Sequence, residues 1–173
     1  MEATKNLTWE YVTHAGFMEE VTVATKARRY AEFYMACAFD AAKLSYANKR
    51  KVGAIAVHKN NIVGFGFNGT PAGHDNCCED EQGNTLPSVI HAEENLLNKL
   101  VELQGVPAIN HLNLNDYDIY VTKEPCIKCA KLIASTKSVL NVVYREDSKT
   151  KPLEGGRYLA DRLGTRVFRM PAL

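Results

Sequence analysis

"VGAIAVHKNNIVGFGF", residues 52–67, decides how the chain folds. Val52–Val57 and Ile62–Phe67 are short β-branched or aromatic runs, and Lys59-Asn60-Asn61 between them suits a tight turn, so the stretch reads as a β-hairpin. Both runs are apolar at nearly every position, the pattern of strands covered by helices on each side.

Outward from the hairpin the periodicity changes. Upstream, from Thr25 to Ser45, the residues Tyr30, Phe33, Tyr34, Cys37, Ala41 and Leu44 recur at helical spacing and predict an inward face. Downstream lies a polar loop, Asn68–Ser88, of about 20 residues, a length at which connections are commonly functional. A helix follows from Val89 to Leu103, burying Leu96, Leu97 and Leu100. Then come a strand at Asp118–Thr122, a short helix from Cys126, a strand at Val139–Tyr144, a helix ended by Gly164 and a strand at Arg166–Met170. A hairpin followed by αβαβαβ gives an α/β fold, a five-stranded mixed sheet with helices on both faces. No repeat or linker divides the chain, so residues 1–173 form one domain. Residues 26–170 are its core, and residues 1–25, weakly periodic, are an N-terminal extension, either an appended helix or a loose arm.

The totals exclude several classes. Lys+Arg 21 against Asp+Glu 20 leaves a net charge of +1, whereas domains that live on nucleic acid carry a basic excess. No apolar run reaches bilayer-spanning length, and the N-terminus lacks the features of a signal peptide. The five cysteines, two as Cys-x-x-Cys and two adjacent (Cys77, Cys78), suit metal binding or free thiols more than a disulfide framework. The expected compartment is the cytoplasm, with no membrane partner.

Two motifs carry the chemistry. In "TKEPCIKCAKL" (Thr122–Leu132), Cys126 and Cys129 open a helix three residues apart, so both sulfurs share one face. The partial positive charge of the helix start favours their thiolates. In "HAEENLL" (His91–Leu97), His91 and Glu93 stand two apart and share a site only where the first turn frays. His91, Cys126 and Cys129 make three ligands and leave a fourth tetrahedral position open, as a catalytic rather than a structural zinc requires. Such an ion lowers the pKa of a water from 15.7 to about 7, and Glu93, not a ligand, would move the proton. His-x-Glu with Pro-Cys-x-x-Cys is the pattern of zinc nucleobase deaminases. The structural alternative is a closed zinc site with His74, Cys77 or Cys78 as fourth ligand.

At this point the chain resembles the deoxycytidylate (dCMP) deaminase family, of the zinc-dependent cytidine deaminase-like superfamily, from about Leu44 to Phe168. "KRKVGAIAV" (Lys49–Val57), "GFGFNGTPAG" (Gly64–Gly73), "HAEENLL" and "PCIKCAKLI" (Pro125–Ile133) carry the likeness, and "GHDNCCEDE" (Gly73–Glu81) resembles phage-type members. The resemblance implies a three-layer fold around a five-stranded sheet, one Zn2+ per chain on His91, Cys126 and Cys129, and Glu93 as catalytic proton shuttle. It implies hydrolysis of dCMP to dUMP and ammonia in pyrimidine deoxynucleotide metabolism, in the host cytoplasm for a phage-encoded chain. It also implies a homo-oligomer, a hexamer being the commonest form, and regulation by dCTP or dTTP with Mg2+, for which Asn68 and Gly69 are the allosteric candidates. Substrate-binding candidates are Asn68, toward the deoxyribose, and Ala92, Lys51 and Tyr144.

Two departures stand out. Phe67 occupies a position where tyrosine is usual. Some phage members hold a second zinc, but only Cys77 matches here, with Ala47 and Asn48 where a cysteine would be needed. Lys49, Arg50 and Lys51 read either as a phosphate contact or as a solvated strand end. Two other readings stay open: a deaminase of a base within RNA or single-stranded DNA, and a non-catalytic zinc module.

Overall fold

The computed structural model describes residues 8–13, 18–104, 116–136, 138–149, 151–161 and 165–171. In chain order these form β1 (Thr8–Val12), β2 (Met18–Thr22), α1 (Thr25–Ala42), β3 (Gly53–His58), β4 (Asn61–Phe67), α2 (Ala92–Gln104), β5 (Tyr117–Lys123), α3 (Ile127–Thr136), β6 (Val139–Glu146), α4 (Glu154–Ala160) and β7 (Arg166–Arg169). The strands form one mixed sheet in the order β2-β1-β7-β6-β5-β3-β4. β5, β6 and β7 run parallel, and the hairpins β3–β4 and β1–β2 attach antiparallel at either side.

The β3–β4 turn is as tight as its sequence suggests. Lys59 and Asn60 both take positive φ, 47° and 63°, the conformation that matches the twist of a two-residue hairpin. The Tyr34 hydroxyl donates to the Asn60 carbonyl at 2.9 Å and fixes the turn against α1.

Alternation along the strands splits the core in two. On one face, Tyr34, Met35 and Ala38 of α1 pack on Ile55, Val57, Tyr120, Val143 and Met170. On the other, Leu96, Leu97 and Leu100 of α2, Ile133 of α3 and Leu159 of α4 cover Ala54, Ala56, Ile119, Val121, Val142, Tyr144 and Val167. Two glycines let helices come this close. A Cβ on Gly53 would lie 2.0 Å from the Ala38 carbonyl oxygen of α1, and one on Gly66 2.4 Å from the Ala92 carbonyl oxygen of α2.

Several expectations need correction. The sheet has seven strands rather than five, because part of the N-terminal extension is a hairpin. Trp9 enters the α1-side core and Val12 the other, while the Glu10 carboxylate pairs with Arg169 at 2.9 Å. β4 is an edge strand, and Ile62 and Phe65 are exposed on it, not covered on both faces. The inward face of α1 is Ala31, Tyr34, Met35, Ala38, Ala41 and Ala42. Tyr30, Phe33 and Leu44 point outward, since the short alanine side chains are what permit the close approach over Gly53. α4 ends at Ala160, and Gly164 lies outside the described residues. Among the described residues no helix is long and apolar enough to cross a membrane.

Candidate metal centre

The site forms where the first turns of α2 and α3 meet the carboxyl end of β5, the end at which open α/β sheets receive ligands. α2 begins at Ala92, so His91 sits just outside it and Glu93 just inside, which frees the pair from helical spacing. The carbonyl of His91 accepts the Asn95 N–H at 2.9 Å and starts the helix. A two-way backbone bridge between Gly69 and Ile90, at 2.8 and 3.1 Å, ties the loop to the residue before His91. On α3, Cys126 stands at the helix start, its carbonyl accepting the Ala130 N–H at 2.8 Å, and Cys129 lies in the first turn.

One donor atom from each of His91, Cys126 and Cys129 lies within 4.8 Å of the others. Nδ1 of His91 is 3.3 Å from Sγ of Cys129 and 3.6 Å from Sγ of Cys126. Zinc bonds of about 2.3 Å to sulfur and 2.0–2.1 Å to nitrogen, at a tetrahedral angle, require an S···N separation of about 3.6 Å. The donors therefore fit zinc in both chemistry and spacing. Among the described residues they are the group of metal-ligating side chains so arranged.

The electrostatics favour a cation. The Cys126 thiol is brought down to about 3 by hydrogen bonds from Cys129 and His91. Cys129, the donor in that pair, is pushed up. The first thiolate thus forms readily and the second needs a positive charge beside it. The imidazole of His91 is raised, mainly by its contact with Cys126. Glu93 is 4% exposed, and its carboxyl is raised by burial. A buried carboxyl next to a metal site holds a proton more readily than one in water, as a shuttle requires.

A cavity of about 340 Å³ opens over these groups, with Val52, Asn68, His91, Ala92, Glu93 and Cys126 among its lining residues. Asn68 is heavily engaged: Oδ1 accepts the Val52 N–H at 2.8 Å, and Nδ2 donates to the Arg50 carbonyl at 2.9 Å. The amide retains one N–H and one lone pair for a ligand. Four cations, Lys49, Arg50, Lys123 and Lys149, also line the cavity.

Not every candidate is brought there. Lys51 is exposed and absent from the lining, which Lys49 and Arg50 reach instead. Tyr144 is wholly buried in the α2–α4 side of the core, and Gly69 contributes its backbone bridge. Cys78 packs with Ala47, Leu86 and Val89 while Cys77 is exposed. His58 is a buried strand histidine bonded to the Asp116 carbonyl, His74 is exposed, and His14 and His111 lie outside the described residues. Sequence reasoning missed Thr85, Val89, Lys123, Glu124 and Lys149. Only the Lys123-Glu124 pair, directly before Pro125-Cys126, gave a local hint.

Known proteins share this chain's sequence pattern and fold. A deoxycytidylate deaminase of Mycobacterium phage D29 is 31% identical over 131 residues, covering 68% of this chain and 94% of that protein. The human deoxycytidylate deaminase is 34% identical over 122 residues, covering 67% of this chain and 64% of the human one. The crystal structure of dCMP deaminase from cyanophage S-TIM5, in complex with dCMP and dUMP, superposes with a TM-score of 0.71 at 34% identity, covering 86% of this chain and 99% of that one. The cytidine and deoxycytidylate deaminase zinc-binding region matches residues 28–146, from the third residue beyond the start of α1 to the end of β6. With that match spanning well over half its length, the chain belongs to the zinc-dependent cytidine and deoxycytidylate deaminase family.

Proposed function

We propose that this protein hydrolyses dCMP to dUMP and ammonia, using Zn2+ held by His91, Cys126 and Cys129, one ion per chain. The observation that carries the reading is the buried Glu93 carboxyl beside a three-donor metal site, under a cavity ringed by cations. When bound, zinc supplies a water whose pKa is lowered to about 7. Glu93 accepts that water's proton, delivers it to N3 of the cytosine and then carries a proton to the departing 4-amino group. The C4–O bond replaces the C4–N bond, so dCMP and water become dUMP and ammonia. Asn68 takes the deoxyribose with its free amide positions, and the backbone at Ala92 lines the cytosine pocket. Lys49, Arg50, Lys123 and Lys149 meet the 5′-phosphate as point charges or donors.

The phage and human relatives named deoxycytidylate deaminase, and the S-TIM5 enzyme crystallised with dCMP and dUMP, support this substrate. Residues 1–173 act as one domain, whose core extends beyond residues 26–170 to take in Trp9 and Val12, in a homo-oligomer for which the family favours a hexamer. dCTP or dTTP with Mg2+ regulates it through the Asn68-Gly69 loop. Sedimentation, and initial rates with and without each triphosphate, check these two readings.

The test of the reaction is Glu93→Gln. The amide cannot accept and return a proton, so turnover of dCMP should fall by about 10²–10⁴-fold or more, with zinc content by elemental analysis unchanged. Near-normal turnover at full zinc would show that Glu93 does not move the proton. Equal turnover of dCMP and deoxycytidine by the unaltered enzyme would remove the phosphate part of the reading.

A further inference from the structure

Glu124 has no role in the reaction as described, yet it is among the most buried charged side chains, 3% exposed. It follows β5 directly, two residues before Cys126. Oε2 accepts the backbone N–H of Leu153 at 2.9 Å and of Ser148 at 3.2 Å, and Oε1 accepts the N–H of Gly156 at 3.2 Å. Its own N–H donates to the Glu146 carbonyl at 2.7 Å, joining the ends of β5 and β6.

Every one of these donors belongs to the segment that leaves β6 and enters α4, and Lys149 sits within it, on the lining of the cavity. The segment is not in a relaxed conformation: Leu153 takes φ 64°, a left-handed backbone that a leucine adopts only when its surroundings impose it. One of the imposing bonds is its N–H to Glu124. The next turn is held equally closely, since a Cβ on Gly155 would lie 1.8 Å from the Pro125 carbonyl oxygen.

We propose that Glu124 is a positioning residue for phosphate recognition. Its carboxylate gathers the backbone N–H groups of Ser148 and Leu153 in the β6–α4 loop and of Gly156 in the first turn of α4, and so sets Lys149 on the rim of the cavity. This rests on the reading that the cations of the rim meet a 5′-phosphate. The carboxylate is the natural group for the task, because it presents acceptors only, two oxygens with room for several donors. Glutamine at 124 would turn an NH2 toward at least one of the backbone donors and lose the charge.

The experiment measures kcat and KM of the zinc-loaded enzyme for dCMP and for deoxycytidine, which lacks the phosphate, in Glu124→Gln, Lys149→Ala and the double variant. Hydrogen bonds to a charged acceptor are among the strong ones. Glu124→Gln is therefore expected to cost about tenfold or more in kcat/KM for dCMP, through KM, with zinc retained and deoxycytidine unaffected. The double variant should be no worse than Lys149→Ala. Equal losses on both substrates, or losses that multiply in the double variant, would overturn the proposal by showing that Glu124 supports the fold and not Lys149. If Glu124→Gln does not fold, Glu124→Asp keeps the charge, withdraws the oxygens by one carbon–carbon bond and gives the same comparison. Lys149→Ala alters an exposed side chain, and an unchanged preference for dCMP in that variant would also defeat the inference. Failure here is distinct from failure of the phosphate reading, which the unaltered enzyme decides by whether it prefers dCMP at all.

Discussion

Replacing Gly53 by alanine puts one methyl group where the structure has none to spare. The new carbon would stand 2.0 Å from the Ala38 carbonyl oxygen and 2.5 Å from the Ala42 nitrogen, where ordinary contact begins at 3.4 Å. Both neighbours are backbone atoms of α1 and cannot rotate aside. The helix would have to recede by roughly 1 Å, unpacking its own fully buried Met35 and Ala38 from the sheet. Overpacking of this kind costs about 1–3 kcal/mol, and rigid neighbours put Gly53→Ala at the upper end. For a domain of this size 1 kcal/mol moves the midpoint by about 2–4 °C, so the expected fall in Tm is on the order of 6–12 °C. Gly69→Ala is the control: nothing lies within 4 Å of its Cβ position, and its stability should stay within about 0.5 kcal/mol. Thermal unfolding followed by circular dichroism makes the comparison. If Gly53→Ala unfolds within about 2 °C of the unaltered protein, α1 does not lie on β3 as described.

Cys126→Ala removes a ligand where Glu93→Gln does not. Elemental analysis should find the zinc lost, and unfolding should lose its dependence on added zinc, because binding energy and folding energy are coupled at such a site; full zinc in that variant would remove Cys126 from the ligand set. A pH effect is expected at Asp118, whose carboxyl is raised by burial while Asn141 and Arg166 draw it down. With the folded value above the unfolded one, its contribution to stability is complete below the unfolded pKa and is lost as pH rises through the folded one. Asp118→Asn should therefore flatten the decline of stability across that window in denaturant titrations at stepped pH, and an unchanged slope would argue that the group is not desolvated.

Much of this could be read from local sequence, for identifiable reasons. The β3–β4 hairpin and α2 each have their own turn chemistry or periodicity, and the metal donors fall in two short motifs that each open a helix. Long-range facts escaped. β1 offers only Trp9 and Val12 to the core, too little alternation to announce a strand, and its place is set by pairing with β7 at the far end of the chain. Tyr144, a substrate-binding candidate, is turned inward beside Val142 by alternation along β6. Lys123 and Lys149 share a cavity only because β5 and β6 lie side by side. Helical spacing alone does not tell which side of α1 faces inward, and Gly53 demands small residues opposite it, which turns Tyr30, Phe33 and Leu44 outward.

The placing of the two hairpins bears on how molecules of this protein meet one another. A sheet edge offers unpaired N–H and C=O groups that can template another chain. Here β1 covers β7 with Tyr11 on Phe168, the rings 5.3 Å apart, and the outermost strand on that side, β2, exposes Glu19 and Glu20. On the other side Lys99 reaches over Phe65 of β4, its Nζ 4.8 Å from the ring and donating to the Phe65 carbonyl at 3.3 Å. Charge thus stands guard at both ends of the sheet, against the runaway strand addition that begins a fibril. Shortening the chain to begin at α1 would strip one of these guards and bare β7, trading an ordered edge for an adhesive one.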